Sequence, residues 1–309
     1  MKKIAYIFPG QGAQYVGMGR DVYKKFKEAK DIFDRAEEVL GRDIAALCFD
    51  GPAEELVKTD NSQVAIFTLS IAIMRTLRSL GRDELSHPAL TAGLSLGEYS
   101  ALVASGVLDF EEGLRLVSAR GRFMQEAAEK EAGGMLAIIG LSLEDVERVC
   151  GESGCEVANL NCPNQVVVSG GNKSLEIAKS KASASGAKKV IMLEVSGAFH
   201  SSLMKDAGER LLKEMGSIAF KTAQIPVVSN VTAKPVSLPD EIKENLIKQV
   251  SSATRWEDSM NFMKSEGVNR YLEIGPGKVL KGLARKIDAA LAVETVGTVE
   301  EIELVVSDR

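Results

Sequence analysis

A serine flanked by glycines is the feature of this sequence best suited to chemistry. Residues 93–97 read G-L-S-L-G, with Ser95 at the centre. A short apolar run that starts at Pro88 precedes this pentapeptide, and a helix-like run follows it and stops at Gly106. Glycines two residues before and after the serine permit a sharp strand-to-helix turn on which a hydroxyl is exposed. The pattern therefore predicts a nucleophilic Ser95 in preference to an ordinary glycine-rich turn.

The sequence offers only two histidines as the base that such a serine needs. His87 begins the strand that leads to Ser95, and eight extended residues at about 3.3 Å each put it roughly 25 Å away. His200 lies in the run V-S-G-A-F-H, after a β-branched, strand-like segment, and so on a loop at a strand end. We therefore expect His200 to remove the hydroxyl proton and return it to the leaving group.

Arg120 is a second candidate, because its position on a predicted helix points it inward. Residues three and four positions apart share one helix face. The neighbours of Arg120 at these spacings are all apolar: Leu116, Val117, Phe123 and Met124. A guanidinium in an apolar interior needs an anion. From this pattern alone, an internal carboxylate and a carboxylate of the substrate explain Arg120 equally well.

A glycine-rich loop, residues 9–14 (P-G-Q-G-A-Q), follows the first predicted strand. Its glycines do not give the spacing of a dinucleotide-binding turn. A backbone N–H near Gln11 could instead join the N–H of Leu96, the residue after the nucleophile, in an oxyanion hole.

A second glycine-rich turn, residues 275–277, opens a helix with four basic side chains. A solvated basic face is the simpler interpretation, and a docking surface for an acidic partner is the alternative. The four residues, called the basic surface below, are Lys278, Lys281, Arg285 and Lys286.

Composition excludes several classes of function. With 309 residues, 45% of them hydrophobic, the chain can bury a large core, and a net charge of −5 argues against nucleic-acid binding. The apolar run before Pro9 is too short for a secretory signal, and the stretch 64–74 is shorter than the ~20 residues of a membrane span. The four cysteines lack metal-ligand spacing, so we expect no metal and a reducing, cytoplasmic location.

Strand-like and helix-like segments alternate, which predicts an α/β protein in two parts. Residues 1–126 and 197–309 are expected to form a large α/β-hydrolase-like domain. Residues 127–196 read βαββαβ, a ferredoxin-like subdomain inserted beside the catalytic segments. Within the large domain we predict one amphipathic helix over residues 22–40 and a buried helix capped by Asn61 or Ser62 and ended by Gly81. Asp109 and Glu112 have the spacing of a capping box.

Five motifs in register resemble the malonyl-CoA:acyl-carrier-protein transacylase family of bacterial fatty-acid synthesis. They are residues 8–14 (FPGQGAQ), the Ser95 turn with the E-Y-S that follows it, residues 120–125 (RGRFMQ), residues 197–200 (GAFH) and residues 273–278 (EIGPGK). The resemblance spans almost the whole chain, including the insertion.

The resemblance implies a role for each matching position. Ser95 would be the residue that is malonylated, His200 the base, and Arg120 the clamp for the malonyl carboxylate. Backbone N–H groups of Gln11 and Leu96 would form the oxyanion hole. A backbone carbonyl would hold the histidine, and the matching residue is Gln249. One departure is Leu94, where family members often have histidine.

The implied activity is transfer of a malonyl group from malonyl-CoA to the phosphopantetheine thiol of acyl carrier protein, by a cytoplasmic monomer without a cofactor. A serine esterase or thioesterase on the same turn is the main alternative. Such an enzyme would normally take an acid from the interval between Ser95 and His200, where no candidate stands out. A non-catalytic scaffold and a transferase for another acyl-CoA are further alternatives.

Overall fold

A computed structural model describes residues 3–80 and 83–307 of the chain, which contain two β-sheets surrounded by helices. The strands are β1 (Ile4–Phe8), β2 (Leu90–Gly93), β3 (Gly133–Ile139), β4 (Glu156–Cys162), β5 (Gln165–Gly171), β6 (Lys189–Met192), β7 (Val227–Val228), β8 (Pro235–Val236), β9 (Arg270–Ile274) and β10 (Val293–Val296).

The helices within these residues are mostly short, with two of 21 residues, α5 and α8. They are α1 (Arg20–Lys25), α2 (Lys27–Leu40), α3 (Ile44–Asp50), α4 (Ala53–Leu56), α5 (Thr59–Ser79), α6 (Asp83–Ser86), α7 (Gly97–Ala104), α8 (Phe110–Lys130), α9 (Leu143–Ser153), α10 (Asn172–Ala184), α11 (Lys205–Met215), α12 (Pro239–Ser251), α13 (Trp256–Ser265), α14 (Val279–Ile287) and α15 (Val299–Ser307). A 3₁₀ turn, Ser202–Met204, precedes α11.

The larger sheet has six strands in the order β10-β9-β1-β2-β7-β8. The pairs from β10 to β7 are parallel, and only β8 runs antiparallel to its neighbour. Every residue of β1 and β2 is buried, as expected for parallel strands covered on both faces. Parallel strands present their carboxyl ends at one edge, and the loops that follow β1 and β2 meet there.

Alternation along β1 divides the core into two layers. Ile4, Tyr6 and Phe8 pack into a cluster with α5, α7 and α8, whereas Ala5 and Ile7 face a second cluster with α13 and α14. This division follows from the two-residue period of a strand.

The smaller sheet is antiparallel, with the strand order β4-β5-β3-β6. Helices α9 and α10 pack on one of its faces through a separate apolar cluster. The sheet is joined to the larger unit at Thr254, whose N–H donates to Ala158 O at 2.9 Å and whose carbonyl accepts from Leu160 N at 2.9 Å. This junction holds β4 and β5 beside the carboxyl edge of the larger sheet.

The single helix predicted over residues 22–40 is wrong, because the chain leaves the helical conformation at Phe26. This residue has extended dihedral angles, φ −113° and ψ 124°, between α1 and α2. Its side chain packs against the core, so tertiary contact outweighs the helical period.

Of the two predicted caps, one is right in position and one is wrong. Asp109 is the N-cap residue of α8, as predicted, but its side chain makes no capping bond and instead accepts from Lys221 Nζ through both carboxylate oxygens at 3.1 Å. Helix α5 begins at Thr59, ahead of Asn61 and Ser62, and its N-terminal cap makes no side-chain bond. The predicted end at Gly81 lies outside the described residues.

Residues 3–80 and 83–307 contain no helix long and apolar enough to cross a membrane. The four cysteines are all buried free thiols. No group of metal-binding side chains occurs in the same part of the chain.

Candidate active site

Ser95 lies on a tight turn between β2 and α7, with the left-handed dihedral φ 51°. The two glycines of the pentapeptide are required by space. A Cβ on Gly93 would lie 2.0 Å from the carbonyl carbon of Gly97, and one on Gly97 would lie 2.1 Å from Phe8 O. Close approach of β1, β2 and α7 therefore explains the spacing of the glycines around the serine, as in a nucleophile turn.

Asn230 holds this turn from the end of β7. Its Oδ1 accepts from the N–H of Ser95 at 2.6 Å, and its Nδ2 donates to Gly93 O at 2.7 Å. The two bonds satisfy buried backbone groups that the sharp turn leaves unpaired. They offset part of the strain of a left-handed serine.

His200 and Ser95 form a hydrogen-bonded pair, with Nε2 of the imidazole 2.8 Å from the serine Oγ. Nδ1 lies 2.7 Å from the backbone oxygen of Gln249. Because a carbonyl oxygen only accepts, Nδ1 carries the proton and Nε2 presents its lone pair to the serine hydroxyl. This is the tautomer that a general base requires.

Burial lowers the pKa of His200 from 6.5 to about 4. The cation of Arg120 contributes to this lowering of the pKa, and the bonds to backbone at Gln249 and Ser252 oppose it. The imidazole is therefore neutral, and able to accept a proton, throughout the neutral pH range.

Arg120 is 1% exposed and reaches the nucleophile directly. One of its nitrogens, Nη2, donates to Ser95 Oγ at 3.0 Å and to Gln249 Oε1 at 3.1 Å, and Nη1 donates to Gln63 Oε1 at 2.8 Å. The ring of Tyr99 lies 5.2 Å from the guanidinium carbon. Burial lowers the pKa of Arg120, and Nε has no hydrogen-bond partner among the described residues. A buried cation with spare donors beside a nucleophile can bind an anionic substrate group.

Gln11 and Leu96 line the same cavity as Ser95, Gln11 from the loop after β1 and Leu96 from the nucleophile turn itself. The loop of Gln11 is pressed against the turn, since a Cβ on Gly10 would lie 2.4 Å from Leu94 O. Leu94 also lines the cavity and packs against the core cluster of α13 and α14.

The cavity has a volume of about 250 Å³ and lies between the two sheets. Met124, Met135, Val167 and Phe199 give it an apolar lining, while the amides of Asn159, Asn161 and Gln165 line it from the smaller sheet. A mainly apolar cavity with a few amides suits a ligand that carries its own amide groups.

The structure brings Ser95, His200, Arg120 and Gln249 into direct contact and sets Gln11 and Leu96 around the same space. Sequence reasoning missed three polar residues of the site, Gln63, Glu98 and Asn230. Gln63 and Glu98 were detectable as polar residues inside apolar helical runs. No sequence pattern around Asn230 marked it as a site residue.

Comparison with known proteins shows the family to which the chain belongs. The acyl transferase domain family matches residues 5–281. A malonyl CoA-acyl carrier protein transacylase of Bacillus subtilis is 45% identical over 99% of this chain and 97% of its own length, and that of Escherichia coli K12 is 41% identical over 93% of each. The chain therefore belongs to the acyl transferase domain family.

Solved structures give the same result for the fold. A malonyl-transacylase in complex with its type II polyketide acyl-carrier protein is 39% identical, with a TM-score of 0.96 over 99% of this chain and 100% of that one. An acyl carrier protein S-malonyltransferase from Vibrio cholerae is 40% identical, with a TM-score of 0.94 over 98% and 99% of the two chains. The mixed α/β fold described above is thus the fold of these enzymes.

Proposed function

We propose that this protein transfers the malonyl group of malonyl-CoA to the phosphopantetheine thiol of acyl carrier protein, through a malonyl ester of Ser95. The observation that carries the proposal is the position of Arg120, a buried cation that donates to Ser95 Oγ at 3.0 Å. An acyl group on that oxygen would bring a carboxylate two carbons away within reach of the same guanidinium.

In the first half-reaction, Ser95 Oγ attacks the thioester carbon and its proton passes to His200 Nε2. The carbon–sulfur bond then breaks, and the leaving sulfur of CoA takes the proton from His200. In this proposal, backbone N–H groups of Gln11 and Leu96 hold the negative oxygen of the tetrahedral intermediate.

In the second half-reaction, the thiol of the carrier protein takes the place of CoA. His200 accepts its proton, the new carbon–sulfur bond forms, and the ester bond to Ser95 breaks as Oγ regains the proton. The backbone oxygen of Gln249 keeps His200 in the required tautomer through both steps. No proton is gained or lost over the complete cycle.

Arg120 would select the acyl group. An acetyl group leaves the guanidinium without an anion, whereas a malonyl group supplies one. The amide of Gln63 orients the guanidinium by accepting from Nη1. A serine esterase would have no use for a buried cation at the nucleophile, and the named relatives are transacylases, so hydrolysis is the less favoured function.

We also propose that the fold has two parts. The parallel strands around the Ser95 turn support an α/β-hydrolase-like domain of residues 1–126 and 197–309. The βαββαβ order and the strand order β4-β5-β3-β6 support a ferredoxin-like subdomain of residues 127–196. Four buried free thiols are consistent with a reducing, cytoplasmic location, and a monomer stays our prediction.

Intact-protein mass spectrometry after brief incubation with malonyl-CoA tests the proposal. We expect a malonyl adduct that Ser95→Ala lacks and that holo acyl carrier protein discharges. An adduct that water clears equally fast without the carrier protein would indicate a hydrolase. Absence of any adduct would favour the non-catalytic scaffold.

A further inference from the structure

Glu98 is a carboxylate at the centre of the site that the proposed mechanism does not use. It lies in the first turn of α7, three residues after Ser95, and is 2% exposed. Its Oε2 accepts from Gln249 Nε2 at 2.6 Å and from the backbone N–H of Asn230 at 3.3 Å. Burying a carboxylate costs free energy unless a cation or several donors compensate it.

The side-chain amide of Gln249 connects this carboxylate to Arg120. Its Oε1 accepts from Arg120 Nη2 at 3.1 Å, while its Nε2 donates to Glu98 and also to Ser95 O at 3.0 Å. The amide thus turns its negative end to the cation and its positive end to the anion. Among the described residues Arg120 forms no direct ion pair, so Glu98 is its counter-charge through one amide.

We propose that Glu98 is a positioning residue whose charge is linked to the acyl group: it balances Arg120 in the free enzyme and takes up a proton from solvent when a malonyl carboxylate binds there. This inference rests on the proposed malonyl transfer. Two carboxylates then share one buried cation, and the one farther from it is the cheaper to neutralise. A neutral Glu98 still accepts from Gln249, so the amide keeps its orientation.

The electrostatics of Glu98 agree with this linkage. Burial raises its pKa from 4.5 to about 7, against the lowering effect of bonds from Gln249 and Asn230 and of the cation of Arg120. A malonyl carboxylate that neutralises Arg120 removes part of this lowering, so the pKa of Glu98 rises further. Other groups near it are uncharged at neutral pH: Tyr99, whose pKa is raised to about 12, His200, and the hydroxyl of Ser229.

Proton uptake by the wild-type protein is the first test, because it leaves Glu98 itself unchanged. Near pH 7 the released CoA is a protonated thiol. Formation of the malonyl ester therefore exchanges no proton with solvent by itself. A group with a pKa of about 7 is half ionised there, so we expect uptake of about half a proton per adduct. A pH-indicator dye in weak buffer measures it, with Ser95→Ala as the blank. No uptake by a protein that forms the adduct overturns the linkage.

Glu98→Gln is the second test, since the amide keeps an acceptor for Gln249 without the charge. We expect the KM of the wild-type protein for malonyl-CoA to rise about fivefold or more between about pH 6 and about pH 9. The KM of Glu98→Gln should stay at the low-pH value throughout. Acetyl-CoA carries the same ionisable phosphates as malonyl-CoA but lacks the distal carboxylate. The KM for acetyl-CoA should therefore not rise over this pH range.

Glu273→Gln is the matched control. Glu273 is also fully buried, and burial raises its pKa to about 7, but its carboxylate accepts from the N–H groups of Leu280 and Lys281 at the start of α14. This variant should keep the wild-type rise in KM. If Glu98→Gln also keeps it, or loses malonyl and acetyl transfer equally with a higher KM for both, the inference is wrong. A wild-type protein that forms no malonyl adduct would refute the proposed function instead.

Discussion

His200 is oriented by the backbone of Gln249, whose carbonyl oxygen lies 2.7 Å from Nδ1 of the imidazole. A neutral carbonyl fixes the tautomer as a carboxylate would, but it adds little negative charge to favour the imidazolium. The base is consequently weaker than one paired with an acid. This weakness suits a thioester, whose thiol leaving group needs little assistance from a proton.

The pH dependence of the reaction rate should reflect the low pKa of His200. Burial, reinforced by the cation of Arg120, lowers the pKa of His200 to about 4, and the base works only when neutral. Activity is therefore present above that pKa and lost as the pH falls through it. We expect the acid limb of kcat/KM for malonyl-CoA at about pH 4. The profile is measured below about pH 6, where Glu98 is protonated and does not change the rate. A limb near 6.5, with the fold intact by circular dichroism, would contradict this assignment.

Asn230→Ala should slow the reaction without weakening substrate binding. Both ends of this side chain bind the backbone of the nucleophile turn, so its loss lets Ser95 and the N–H of Leu96 move. We expect kcat to fall about 10²-fold, as for a displaced oxyanion donor, with a nearly unchanged KM. Asn245→Ala is the control, because Asn245 is buried on α12 with its Nδ2 unpartnered. Equal losses in both variants would reduce the role of Asn230 to general packing.

Arg120→Ala should remove the preference for malonyl over acetyl. The guanidinium that faces Ser95 would supply the only contact specific to the distal carboxylate in our proposal. We expect malonyl transfer to fall by at least about 10²-fold and acetyl transfer to change far less. Arg122→Ala, two residues along the same helix and exposed, should leave both rates unchanged. If malonyl and acetyl transfer fall by the same factor, Arg120 is not the clamp.

Charge reversal on the basic surface should weaken the carrier protein alone. All four residues are exposed on or beside α14, whose Val279 and Leu283 line the cavity, and Lys286 donates to Gln165 at the same border. We expect Lys281→Glu combined with Arg285→Glu to raise the KM for acyl carrier protein about tenfold, with kcat retained. Lys213→Glu, exposed on α11, is the matched control. An unchanged KM would leave this surface as a solvated helix face.

The sequence alone predicted the parts of the site that depend on local stereochemistry. The two glycines around Ser95 predicted the nucleophile turn, because a left-handed serine between a strand and a helix needs small neighbours at those positions. His200 followed by elimination, and the inward direction of Arg120 followed from helix periodicity. Gln249 followed only from resemblance to a family.

Parts of the fold that depend on packing were not predictable in this way. The break at Phe26 and the pairing of Asp109 with Lys221 replaced a regular helix and a regular cap. Strand β10 and helix α15, at the edge of the larger sheet, left no pattern that we recognised. At Phe26 and at Asp109 a contact distant in sequence outweighed the local preference.

The tertiary structure placed Gln63, Glu98 and Asn230 in the site. Ser95 and Asn230 are 135 positions apart, and Gln249 and Glu98 are 151 positions apart, yet each pair is hydrogen-bonded. The types of these residues allow many partners, and only the packing of β7 and α12 against the nucleophile turn selects one. The sequence thus determined which groups can react, because the turn and the helix that present them depend on residues nearby in the chain. The fold decided which groups hold them and balance their charge, because buried polar groups must be paired across the core.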